Sequence, residues 1–146
     1  MPDLGIKRRL LELVRSPHAS HETAFGIAIG VFIGMTPLYG LHIWIALLFA
    51  LILPDINKLA LIIGANLAIP PFIPLITWIN YEIGRFLLRG NCPPFTWATL
   101  RGLRYQDIPS VFFPLLLGSV FFGAFCAMVS YALTIRIVEH FRKRYA

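Results

Sequence analysis

Charge is scarce in this sequence. Asp, Glu, Lys and Arg make up 14 % of its 146 residues, against about 25 % in soluble domains. With 58 % of residues hydrophobic and a mean hydropathy of +0.73, there is too little polar side chain to cover a water-facing surface. Acidic residues are the scarcest, seven against thirteen Lys and Arg. The chain has no paired catalytic carboxylates, no Ser–His–Asp set and no phosphate-binding loop, so an enzyme is not expected. Its two cysteines, Cys92 and Cys126, match no metal or redox spacing. His18, His21 and Glu22 lack a zinc-binding pattern. No metal or cofactor is therefore expected. The basic start, Met1–Ser16, is not followed by a short apolar core with a small-residue cleavage site, so no cleaved signal peptide is expected either.

What the chain does have is apolar sequence in long runs. They cover 23–53, 59–88 and 111–138, with a polar connection at 89–110 and a basic tail at 139–146. The net charge of +6 sits at the ends and between the runs. That is the pattern of membrane flanks rather than of a nucleic-acid surface. At this length the chain reads as one membrane domain. Within residues 1–20, positions 4–16 place Leu10, Leu11 and Val14 at helical spacing, with Lys7, Arg8, Arg9 and Arg15 largely on the other side. This fits a helix lying on an anionic membrane surface, or else a short solvated basic tail. Ser20 can cap a helix opening at His21.

Two of the three runs are interrupted. Gly26, Gly30 and Gly34 repeat every four residues, forming a flat strip that lets another helix approach closely. Thr36-Pro37-Leu38-Tyr39-Gly40 then breaks the first run. In the second, Pro70, Pro71 and Pro74 follow Asn66. Each proline lacks a backbone donor and clashes with the preceding turn, so no unbroken helix passes through. In lipid, such a break is tolerated only where protein or a wet cavity covers the freed backbone groups. A helix needs about 20 residues to cross a bilayer core. Val111 to Ile135 meets that need, while the uninterrupted halves of the broken runs do not. The expected fold is an all-α membrane protein: two proline-broken apolar helical segments, at least one a re-entrant hairpin, and a C-terminal transmembrane helix. Grouping the basic residues of both chain ends on one side favours one re-entrant hairpin and two crossings. A short interfacial helix is expected around Trp97 and Arg101.

Ionisable and polar groups within apolar runs are the candidate site residues. Glu82 and Arg85 are three apart, share a helix face and can pair. They can bind and orient an anionic head group, or form an interfacial salt bridge. His42 just past the first break can meet phosphate or relay protons, or serve the helix start. Thr36 lies at that break. Asn66 can line a polar cavity or satisfy loose backbone groups.

Together these features resemble a known family. Gly26-Ile27-Ala28-Ile29-Gly30-Val31-Phe32-Ile33-Gly34-Met35-Thr36-Pro37, then Gly40-Leu41-His42, then Asn66 with Ile69-Pro70-Pro71, then Tyr81-Glu82-Ile83-Gly84 are similar, in order and spacing, to the DUF2062 family of small bacterial membrane proteins. The likeness covers about residues 5 to 135. Many members carry Asn-Pro shortly before the double proline, whereas here Leu67 follows Asn66. The resemblance implies a multi-pass protein of the bacterial inner membrane. Some members are joined to glycosyltransferase-like domains, which implies work near polyprenyl-linked sugars.

Two functions fit. In the first, the breaks meet near the bilayer middle and the chain is a transporter or flippase-like protein for an anionic, phosphorylated lipid or small anion. Thr36, His42, Asn66, Glu82 and Arg85 then form the substrate-binding set. The partners are membrane lipids and a second copy docked on the Gly26/Gly30/Gly34 strip. In the second, the chain is a non-catalytic adaptor whose glycine strip receives an envelope-biogenesis enzyme. A small lipid-modifying enzyme fits less well than either.

Overall fold

A computed structural model describes residues 17–145 apart from 39, 68–71 and 103. Among these residues all regular structure is helical: α1 (Pro17–Gly34), α2 (His42–Ile52), α3 (Lys58–Ala65), α4 (Ile73–Leu87), α5 (Trp97–Gly102) and α6 (Ile108–Tyr145). A 3-10 turn, Tyr105–Asp107, leads into α6. The amphipathic segment 4–16 and the prolines Pro70 and Pro71 lie outside the described residues.

α1 ends at Gly34, just before the Thr-Pro pair. Thr36 Oγ1 donates to the Ile33 carbonyl at 2.6 Å, occupying an acceptor freed at the helix end. Gly40, at φ +90, lets the chain reverse into α2. Two boundaries differ from those read in the sequence. The first helix does not open at His21 under a Ser20 cap: it is already helical at Pro17, and Ser20 is buried within it. Proline suits a first helical turn, where its missing donor costs nothing. The last helix does not stop at Val138 but runs through the basic segment to Tyr145. Nothing in Glu139–Lys143 is a helix breaker, and charge by itself ends no helix.

Glycines show which way the helices run. A Cβ placed on Gly26 would meet the Asn57 carbonyl at 2.8 Å, and one on Gly30 would stand 2.6 Å from Ala65 N. One on Gly34 would stand 2.7 Å from the Ala65 carbonyl. Later residues of α1 thus meet later residues of α3, so the two are parallel. α2 must run back between them. Asn57 caps α3 by accepting from Ala60 N–H at 3.2 Å, while its Nδ2 donates to Thr23 of α1 at 3.1 Å.

α6 is the spine. Its 38 residues give a rod of about 57 Å. α1 packs antiparallel along its middle, with His21 at Tyr131 and Phe32 at Gly123. α4 packs antiparallel on its N-terminal half, where Gly84 meets the Pro114 carbonyl and Gly118 meets the Asn80 carbonyl with no room for a side chain. Pro114 sits inside α6 without ending it. Of the described helical structure, one stretch is long and apolar enough to cross a membrane, Tyr105–Phe141. α2 is apolar but has only 11 residues.

Packing is inverted relative to a water-soluble domain. Half of the buried hydrophobic positions are alanine, among them Ala24, Ala46, Ala60 and Ala65. The bulkiest apolar side chains point outward: Trp44 is 69 % exposed, Leu51 72 % and Phe86 83 %. Short side chains bring the helices together, and long ones clothe the outside.

Candidate functional site

The polar residues picked out in the sequence do not converge on one cavity. Thr36 spends its hydroxyl on its own helix end. The His42 ring accepts from Gly40 N–H at 3.3 Å and so closes the turn ahead of α2. Exposed Asn66 caps α3, donating from Nδ2 to the Ile62 carbonyl at 2.9 Å. Pro37 lies in the turn after α1, while Pro74 occupies the first turn of α4, where proline is tolerated, and so starts a helix rather than breaking one. Gly26, Gly30 and Gly34 are spent within the chain, against α3. The strip expected to receive a second copy or a partner enzyme is therefore already filled. A glycine strip reads the same whether its partner lies in the same molecule or another.

Glu82 and Arg85 do come together. Arg85 NH1 lies 3.3 Å from both Glu82 carboxylate oxygens. Both face an open cleft of about 510 Å³ completed by Phe86, Arg89 and Gly90. The cleft is built by the way α4 ends. Gly90 N–H donates to the Arg85 carbonyl at 2.9 Å, and Arg89 N–H to that of Phe86 at 3.1 Å. This is the paired closure of a Schellman ending, and it requires a left-handed residue at Arg89, whose φ is 57. Glycine is the usual occupant because a side chain there costs about 1–2 kcal/mol. Among the described residues Arg89 is the one non-glycine with positive φ. A costly conformation thus holds a second guanidinium beside Arg85 at one cleft. A carboxylate and two planar five-donor groups can bind a phosphate, with Glu82 steering Arg85.

A second polar feature was not singled out from the sequence. Asn80 is fully buried, and its Nδ2 donates to the Met35 carbonyl at 2.8 Å, across 45 residues. It ties the end of α1 to α4. Because Gly34 also abuts Ala65, the two chain breaks begin side by side, level with the middle of α6. Asn80 Oδ1 has no partner there. Ser119, equally buried, donates to the Leu116 carbonyl of its own helix. Next to Asn80, buried Tyr81 donates to the Pro93 carbonyl at 2.6 Å and packs its ring at a tilt against Phe95, folding the connection back over α4. A lone asparagine in an apolar helix carries no motif, and only its partner 45 residues away marks it.

A third feature is an apolar groove of about 660 Å³ between α1, α2 and α6. Among the described residues no three His, Cys, Asp or Glu side chains gather to hold a metal ion.

Comparison with known proteins gives one match. The model of a family described as an uncharacterized protein conserved in bacteria (DUF2062) matches residues 5–146. No curated protein and no solved structure matches the chain.

Proposed function

The chain belongs to the DUF2062 family, and from that premise we propose that it is an integral inner-membrane protein that binds and moves an anionic, phosphorylated lipid. The inverted packing supports the membrane placement. Alanine and glycine at helix contacts, with Trp44, Leu51 and Phe86 outside, suit a lipid solvent, where helices associate by close approach. In this reading α1 and α2 form the re-entrant hairpin. α3 and α4 together make one crossing, and α6 makes the other. Both chain ends then lie on one side, since α1 begins beside Tyr131, near the C-terminal end of α6.

Arg89 carries the lipid reading. A left-handed arginine beside Arg85 and Glu82 is a strained residue at a cationic cleft, which is where strain marks ligand binding. The cleft lies toward the end of α4, level with the start of α6, so it sits close to one membrane face. Movement of the lipid draws support from the adjacent breaks, since interrupted helices that meet inside the bilayer are the usual setting of transport sites. The adaptor reading loses its docking strip to α3 and has no other support. No catalytic step is proposed.

The test is reconstitution in phosphatidylcholine vesicles with a fluorescent phosphatidic acid, its exposure in each leaflet read by reductive quenching. Faster exchange than in protein-free vesicles, lost in Arg85→Ala, is expected. Equal exchange with and without protein would refute transport, and equal phosphatidic acid binding by wild type and Arg85→Ala would refute the site. Protease tags at the two chain ends should be cut from the same face, and cleavage from opposite faces would overturn the topology.

A further inference from the structure

The groove between α1, α2 and α6 is apolar. Small side chains, Ala28, Ala124 and Ala127, line it together with the larger Phe32, Phe49 and Met128. At the inner end stands Thr36, whose hydroxyl is already committed to Ile33, so that end is chemically apolar too. A space of about 660 Å³ with such a lining holds water poorly. The other end is different. Tyr131 lines the groove there, and its hydroxyl lies 2.9 Å from His21 Nδ1, leaving a polar pair at the mouth. The mouth opens where α1 begins and α6 approaches its end. At that end the described stretches 17–22 and 136–145 carry four Lys and Arg against two Asp and Glu.

We infer that this groove is a second lipid site, which takes one acyl chain of an anionic glycerophospholipid with its head group at the His21–Tyr131 mouth. Shape and charge agree on that occupant. An apolar groove of about 660 Å³ between three helices suits a single flexible chain better than a further helix, whose diameter with side chains is about 10–12 Å. The excess of basic sequence at the mouth favours an anionic head group. The inference rests on the membrane placement proposed above, but not on the Arg85–Arg89 cleft, which lies at the opposite end of α6. The protein would then hold lipid toward both faces of the bilayer.

The test uses full-length protein in nanodiscs containing phosphatidylglycerol with a diazirine in one acyl chain. After illumination, adducts should concentrate on peptides bearing Phe32 or Phe49 rather than on exposed residues of α6 such as Phe113 and Phe121. Even labelling around the molecule would overturn the inference. So would protection of the groove by cross-linking to residues 4–16 or to a second copy, since either would then be its occupant. Detergent-purified protein should also retain phosphatidylglycerol in native mass spectrometry. Ala127→Phe, which puts a ring into the groove lining, should weaken that retention at least about tenfold. Retention equal to wild type in a well-folded Ala127→Phe would refute the inference. Should that variant misfold, the smaller Ala124→Val must still reduce adducts at Phe49. Arg85→Ala should leave groove labelling unchanged, so failure of the arginine cleft and failure of the groove are read separately. His21→Ala should keep the chain adducts but lose the preference for phosphatidylglycerol over phosphatidylcholine, and an unchanged preference would refute the head-group assignment.

Discussion

Replacing Arg89 with glycine should make the protein more stable and worse at its proposed task. Arg89 has φ 57 at the end of α4, and a side chain in that region costs about 1–2 kcal/mol. Glycine removes that cost but returns about 0.5–1 kcal/mol through its greater freedom when unfolded. The net gain is therefore about 0.5–1 kcal/mol, with the Gly90–Arg85 and Arg89–Phe86 backbone bonds kept. The loss is larger. A hydrogen bond to a charged group is worth about 1.5–3 kcal/mol, so phosphatidic acid binding should weaken about ten- to a hundredfold. Stability would be read as the midpoint of SDS unfolding followed by circular dichroism, and affinity by native mass spectrometry against phosphatidic acid. Arg89→Asn should behave similarly, because asparagine also tolerates the left-handed region. Arg89→Lys should keep the strain and only part of the affinity, since a point charge replaces a planar fork. An Arg89→Gly protein less stable than wild type would refute the strain argument. One that binds phosphatidic acid equally well would refute the contact.

Three further outcomes follow from the packing. Gly30→Ala forces a methyl group against Ala65 N and the Leu61 carbonyl and should cost about 1–3 kcal/mol or more. Gly102→Ala meets nothing within 4 Å and should be neutral or slightly stabilising in the same SDS titration. Asn80→Ala leaves the half-buried Met35 carbonyl without its donor and should cost about 1 kcal/mol or more. Hydrogen exchange should rise at the end of α1, and unchanged exchange there would show that the bond does not hold the break. Tyr81→Phe removes the bond to Pro93 and should cost about 0.5–1.5 kcal/mol. Limited proteolysis should become faster within 91–96 while α6 stays protected.

Some of this architecture could be read directly from residue spacing. The interruption after Gly34 follows from Thr36-Pro37, and that after Ala65 from the proline cluster, because proline acts within one turn of its own position. The short helix at Trp97 and the pairing of Glu82 with Arg85 are equally local. The Ser20 cap failed for a local reason as well. Pro17 begins a helix as readily as Ser20 caps one, and the two rules competed over four residues.

Arg89 shows where such reading stops. Its neighbour Gly90 is the residue a sequence offers for a left-handed position, and it does take φ 73. The structure turns Arg89 left-handed as well, at φ 57, because the helix ending needs that conformation at the residue whose amide reaches the Phe86 carbonyl.

By itself, the sequence determined the three apolar runs, the two breaks and the presence of a close-approach strip. Composition and proline chemistry act over a few residues and need no partner to be named. Only the tertiary structure decided what that strip touches, that the two breaks begin side by side under Asn80, and that Arg85 and Arg89 share a cleft. Each of those depends on two segments meeting in register, and a glycine or an asparagine carries no record of the residue that will lie against it.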